Sequence, residues 1–257
     1  MMWRIRIIVS SLVFLALTSA GFAQAARSQD DEIFLKFAGE VGLSSVLGDT
    51  PGKFVLKWTK AMAVDFYFSA KTPIEIVTSM SGAFNDAQQA SGLQVQFYRG
   101  LYNVMVLTAD WKAGGLEKSI ETIAQFFPTR YDALEFISRR KNGSRKCAFK
   151  VVLDKEGAIQ GGLILLDVGS EDLSLVKHCS VRSIASLFGL GTLNVEFNVE
   201  DDRPYPSIAN DQLNAADLTE YDKRFLRLLY DPSIRSWMTQ MDAVPVLRSL
   251  LHASAKK

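Results

Sequence analysis

The chain has 257 residues, a formal net charge of +1, and 48% hydrophobic against 22% charged residues. That balance suits a packed globular domain and gives no reason to expect nucleic acid or an anionic membrane surface as a partner. The sequence has no paired-His zinc spacing, P-loop, G-x-S-x-G elbow or dinucleotide-binding glycine run, and its only histidines are His178 and His252. A Ser-His-Asp triad, whose members meet only in space, stays open in principle.

Arg4 and Arg6 open the chain, followed by the apolar run Ile7–Leu17 and then small residues ending in Ala23-Gln24-Ala25. This is the pattern of a removable secretory signal peptide, with cleavage expected after Ala23 or Ala25. The apolar run falls short of the ~20 residues that a bilayer span needs, which disfavours the alternative of an uncleaved anchor. Loss of residues 1–25 leaves a chain with a net charge of about −1, since Arg4 and Arg6 go with them. No integral membrane anchor is expected after cleavage, and the destination is the periplasm or the exterior. There, the two cysteines, Cys147 and Cys179, make a disulfide the default. The alternative is a pair of metal-binding thiolates beside His178, a thin ligand set.

Residues 26–50 read as a leading arm or short helix, ahead of a single domain over 51–257. Strand signals start near Phe54 to Trp58 and Val64 to Phe68. Thr72-Pro73-Ile74-Glu75 predicts a helix start with a capping box, running to about Ala90 and stopping at Gly92. Leu93–Phe97 and Tyr102–Leu107 are strand-like, and a helix is expected over roughly 116–126, ended by Pro128. Lys146–Leu153 and Ala158–Asp167 predict a hairpin turning at Lys155-Glu156-Gly157. Ser170-Glu171-Asp172 opens a helix with Leu173, Val176, Ile184 and Leu187 on one stripe, ending at Gly189 or Gly191. Residues 192–214 read as irregular, a helix follows from Thr219 to about Tyr230, and a last one spans about Ala243 to His252. Helices and strands mix without strict alternation, which predicts an α+β fold: a small mixed sheet packed by helices, with helices at the C-terminus.

Two surface-type clusters have plain readings. Arg139 to Lys146 is a basic run with Asn142-Gly143 at its bend, expected to be a solvated loop. Phe66, Tyr67, Phe68, Phe97, Tyr98, Phe126 and Phe127 are expected to pack in the core rather than line a pocket.

The segment from Cys179 to Met238 resembles a family of exported bacterial proteins, the domain of unknown function twenty-nine twenty-seven. Its motifs run C-x-x-E-E-x-x-Q-x-x-G-L, then S-I-F-N-D, then L-T-x-x-D, then L-Y-D-P and a Met. Cys179 and Gly189-Leu190 match the first motif, and Ser207-Ile208-Ala209-Asn210-Asp211 the second with Ala209 for Phe. Leu218-Thr219 with Asp222 match the third, and Leu229-Tyr230-Asp231-Pro232 with Met238 the last. The Lys57-Trp58 strand and the upstream Cys147 also look like that family. The resemblance implies a single zincin-like domain. Its two Glu and its Gln fall on Arg182, Ser183 and Ser186, so these are degenerate metal-site positions: a cation and two neutral hydroxyls where zinc needs donors.

The expected function is therefore an exported, non-catalytic, pseudoenzyme-like protein. It would be a periplasmic binding or interaction module for an unknown envelope protein or ligand, with no cofactor and no metal. The alternative is a peptide or cell-wall hydrolase working through carboxylates, with Glu200, Asp201, Asp202, Asp211 and Asp222 as candidates. The plain reading of the first three is a solvated loop, and of Asp222 a helix cap.

Overall fold

A computed structural model of the chain describes residues 29–45, 53–98, 100–141, 146–191 and 217–254. Helix α1 occupies 29–37 and runs into a π-helical turn, Ala38–Gly42. Strands β1 (Ser44–Ser45) and β2 (Lys53–Phe54) pair antiparallel beside it. This leading segment is part of the core: Phe34, Phe37, Ala38 and Leu43 are all buried.

The main sheet comprises β3 (Lys57–Trp58), β4 (Met62–Tyr67), β5 (Val95–Phe97), β6 (Val104–Ala109), β7 (Cys147–Leu153) and β8 (Ala158–Asp167). Its order is β5-β4-β6-β8, with β3 against the first two residues of β8. Every one of these pairings is parallel, and only β7 runs antiparallel, along β8. All six residues of β6 are buried, because this strand is covered on both faces. That is why Val104-Met105-Val106-Leu107 reads as a continuous apolar run rather than an alternating one.

On one face, Val104, Val106, Ile164 and Leu166 meet helices α2 (Ile74–Ser91) and α6 (Leu173–Leu187). On the other, Met105, Leu107, Leu163 and Leu165 meet α3 (Gly115–Lys118), α4 (Ile120–Ala124) and α5 (Arg130–Lys141). Helices α7 (Glu220–Leu229) and α8 (Gln240–Ser254) complete the first face. The α+β class follows from these elements, helices around a mostly parallel sheet. Among the described residues no helix is long and apolar enough to cross a membrane.

Helix α2 shows how directly pattern becomes packing. Ile76, Met80, Ala83, Phe84 and Ala87 recur at helical spacing and are buried as one stripe. Gly92 ends the helix at φ 69°, a left-handed conformation that costs glycine little. Its start differs from the expected capping box. Pro73 sits at the N-cap with no side-chain cap, and the Thr72 hydroxyl instead donates to the Ser69 carbonyl at 2.7 Å.

Four other expectations need correction. The single helix over 116–126 is two short helices, broken at Ser119, whose amide bonds to Leu116. Helix α5 has no strong periodic signal and was not expected. Leu173 is 41% exposed, so the stripe of α6 begins at Val176. Of the aromatic cluster assigned to the core, Phe126 is buried, but Tyr67, Phe68, Phe97 and Tyr98 are exposed. Tyr67 and Phe68 lie at the C-terminal end of β4 and Phe97 and Tyr98 on or just after the edge strand β5, where Phe84 of α2 meets Phe97 only edge-on, at 5.9 Å, without enclosing it.

The hairpin forms as expected, with Gly157 at φ 75° in its turn and a register shift at Val152/Leu153. Residues 139–141 of the basic run end helix α5 rather than form a loop, and residues 142–145 and 192–216, with Glu200, Asp201, Asp202 and Asp211, lie outside the described residues.

Candidate functional site

Helix α6 starts at Asp172, whose carboxylate accepts from the Leu175 amide at 2.9 Å, a direct N-cap. From Cys179 to Leu187 every side chain on it is buried. A helix apolar on one stripe only would keep a wet face; this one is enclosed by β7, β8, α2 and α7, so its polar residues are enclosed as well. Arg182, Ser183 and Ser186 are 5%, 0% and 7% exposed.

The Arg182 side chain finds its partner forty residues away. Its Nη1 donates to Asp222 Oδ2 at 2.7 Å, with the two side chains 6% and 1% exposed. Asp222 is held in turn by the start of α7. Its Oδ2 accepts from the Thr219 amide at 2.9 Å, while its own amide donates to Thr219 Oγ1 at 3.1 Å. This is a complete capping box, as the T-x-x-D spacing predicts. Asp222 Oδ1 is buried without a hydrogen-bond partner among the described residues, as is Ser79 Oγ on the facing helix α2. Among the described residues the carboxylate thus spends one oxygen on two donors and leaves the other unmatched.

One turn before Arg182 on α6, Cys179 is bonded to Cys147 at the start of β7, with Cα atoms 6.1 Å apart. Ser183 Oγ lies 3.8 Å from Cys147 Sγ. The bridge removes both sulfurs as thiolate ligands, which closes the metal-thiolate alternative. His178 is half-buried next to this bridge, and His252 lies exposed on α8.

The three positions do not fit a zinc ion. A dication there would face a guanidinium within its own site, and the nearest carboxylate is already neutralised by that guanidinium. Among the described residues no group of three His, Cys, Asp or Glu side chains could hold a metal ion.

The C-terminal end of α6 gathers the remaining motif residues. Trp58 Nε1 donates to the Leu187 carbonyl at 2.7 Å, and Tyr230 Oη donates to the Phe188 carbonyl at 3.1 Å while accepting from the Trp58 amide at 3.3 Å. Burial pushes the Tyr230 phenol well above its ordinary value. Gly189 follows at φ 94°, and a Cβ there would overlap the Leu56 carbonyl oxygen. The Lys57 ammonium reaches the carbonyls at the end of α7, those of Leu229 at 3.4 Å, Asp231 at 3.5 Å and Ile234. Burial lowers the Lys57 pKa, and Asp231 opposes that shift. A cation at a helix C-terminus also complements the helix dipole.

Sequence motif and tertiary packing therefore coincide here, in a splice that ties β3, α6 and the 229–238 turn together. The family model described as "Protein of unknown function (DUF2927)" matches residues 116–249. The chain belongs to this family. No curated protein and no solved structure matches it. Within the matched span, Gly189-Leu190 follows the end of α6, Leu229 ends α7 ahead of Tyr230-Asp231-Pro232, and Asp222 serves as cap and counterion. The Pro206–Asp211 motif lies outside the described residues. The Arg182–Asp222 pairing had no local signal in the sequence; only the capping pattern around Asp222 was legible.

Proposed function

We propose that the chain is an exported, non-catalytic envelope protein: a binding or interaction module on a zincin-like scaffold whose metal positions have become part of the core. The observation that carries this reading is the Arg182–Asp222 ion pair, 2.7 Å long and buried on both sides. It puts a fixed cation where a zinc site needs donors, and it takes up a carboxylate that could otherwise act as acid or base. Position α6 as the helix after the long strand β8, carrying positions 182, 183 and 186, supports the scaffold assignment. The N-terminal pattern and the Cys147–Cys179 bridge support export to an oxidising compartment.

The test starts from protein recovered from the periplasm. Its N-terminal sequence is expected to begin at Gln24 or Ala26, and its metal content by mass spectrometry to be near zero. Stoichiometric zinc would overturn the non-catalytic reading, and an intact Met1 terminus would overturn export by cleavage. Crosslinking in the envelope followed by pull-down is then the route to the partner.

A further inference from the structure

Six of the twelve large apolar side chains that are exposed among the described residues occur between Tyr67 and Leu101. Two of the six, Phe97 and Tyr98, lie on or just after the edge strand β5, and Phe68 lies beside them at the end of β4. Phe97 is 56% exposed, Tyr98 51% and Phe68 42%. The Phe66 ring, half-buried, stacks on Phe68 at 5.2 Å and on Phe97 at 5.7 Å, so these rings form one continuous surface on the α2 side. Tyr98, the next residue, points to the opposite side by the alternation of a strand. The edge strand β5 is thus aromatic on both faces.

Its backbone is open as well. In the ladder with β4, the Met62 amide bonds to the Gln94 carbonyl at 3.0 Å and the Tyr98 amide to the Val64 carbonyl at 3.1 Å. Residues 94, 96 and 98 therefore face β4, and the N–H and C=O groups of Val95 and Phe97 face outward. No strand lies beyond β5 among the described residues. Natural edge strands are commonly guarded by a charge, a proline or a bulge. At three residues β5 is short, which itself limits pairing, but the stretch Gln94-Val95-Gln96-Phe97-Tyr98 carries no charge, proline or bulge, whereas the other edge strand, β7, carries Lys150.

We propose that β5 is a self-pairing edge, and that two copies of this chain join through antiparallel β5 strands into one continuous sheet. The match is self-complementary about a two-fold axis at Gln96. Val95 of one copy and Phe97 of the other exchange both backbone hydrogen bonds, and the reciprocal pair does the same, so donors and acceptors balance. Gln96 then stands opposite its own copy, where two side-chain amides can bond to each other, and no like charges meet on the axis. Because such an axis runs perpendicular to the sheet, each face stays on its own side. The Phe68–Phe66–Phe97 surfaces of the two copies become one strip on the α2 side. The mature chain's net charge, near −1, adds little repulsion. This inference stands apart from the metal-free reading, since its readout is mass rather than metal.

Sedimentation of the mature protein over a wide concentration range is expected to show a reversible dimer. Gln96→Cys, at the axis, is expected to give a covalent dimer under oxidising conditions that reductant reverses. Phe97→Lys places like charges across the axis, and Val95→Pro removes an outward N–H without touching the β4 ladder; each should abolish the dimer. Circular dichroism and the thermal midpoint verify that the variants fold, and Gln96→Cys gives a positive signal that does not depend on loss. A monomer at every concentration overturns the proposal. So does a dimer that survives both disruptive variants and fails to crosslink through Gln96→Cys, or association at this edge with a different protein only.

Discussion

Removing one partner of the Arg182–Asp222 pair tests whether this helix is held by its charges or merely contains them. With the side chains 6% and 1% exposed, neither group can turn out to solvent when its partner is lost. Breaking a buried pair from one side costs about 3–5 kcal/mol, because it leaves an uncompensated charge in the interior. Asp222→Ala carries a second loss, the capping box at the start of α7, worth about 1 kcal/mol. It is therefore expected to be worse than Arg182→Met, after which the carboxylate still accepts from the Thr219 amide. The double variant Arg182→Met with Asp222→Asn keeps the volume and a cap while removing both charges. It is expected to recover most of the loss, to within about 1–2 kcal/mol of the parent, since replacing a buried pair by groups of similar shape is close to neutral. Urea unfolding followed by far-ultraviolet circular dichroism measures these proteins, and Asp222→Asn alone closes the thermodynamic cycle with Arg182→Met and the double variant. If Arg182→Met alone shifts stability by less than about 0.5 kcal/mol, the size of an ordinary surface change, the pair is not holding α6 against α7 and the reasoning fails.

Other outcomes follow from the same contacts. Replacing Cys147 and Cys179 by Ala should lower stability by about 3–4 kcal/mol, the chain-entropy value for a bridge spanning 32 residues, read as a lower urea midpoint. Gly189→Ala should destabilise by more than about 2 kcal/mol, because it combines a left-handed φ with an overlap against the Leu56 carbonyl; unfolding with little change would mean the turn can relax. Stability should be complete below the ordinary tyrosine value of 10.0 and decline as pH rises above it, because the buried Tyr230 phenol resists ionisation in the folded state and not in the unfolded one. Tyr102 and Tyr221, pushed up to about 12, add to that slope, and Tyr230→Phe should remove its own share, measured as unfolding free energy against pH.

Much of the chain was legible because its elements carry local punctuation. Asp172 and Thr219 cap α6 and α7 where the sequence places them, and Gly92, Gly157 and Gly189 each turn the chain with positive φ. Helix α5 was not legible, since its apolar residues lack a strong period and it is held by the sheet face it covers. The core assignment of Phe97 and Tyr98 failed for a related reason. Composition says that an aromatic side chain gains by burial, but not how far the neighbouring helix reaches: Phe84 of α2 meets Phe97 only edge-on and leaves it 56% exposed.

By itself the sequence determined the class of elements, the caps of α6 and α7, the candidate bridge and the family, because each rests on residues close in the chain or on fixed spacings. Only the tertiary structure decided that Arg182 meets Asp222, that Ser183 and Ser186 lie in the core, and that β5 has no strand beyond it among the described residues. Those outcomes depend on which helix packs over which strand. No spacing along the chain encodes a contact between α6 and α7, and the alternation of Leu93–Phe97 marks a strand without saying whether another strand lies beside it.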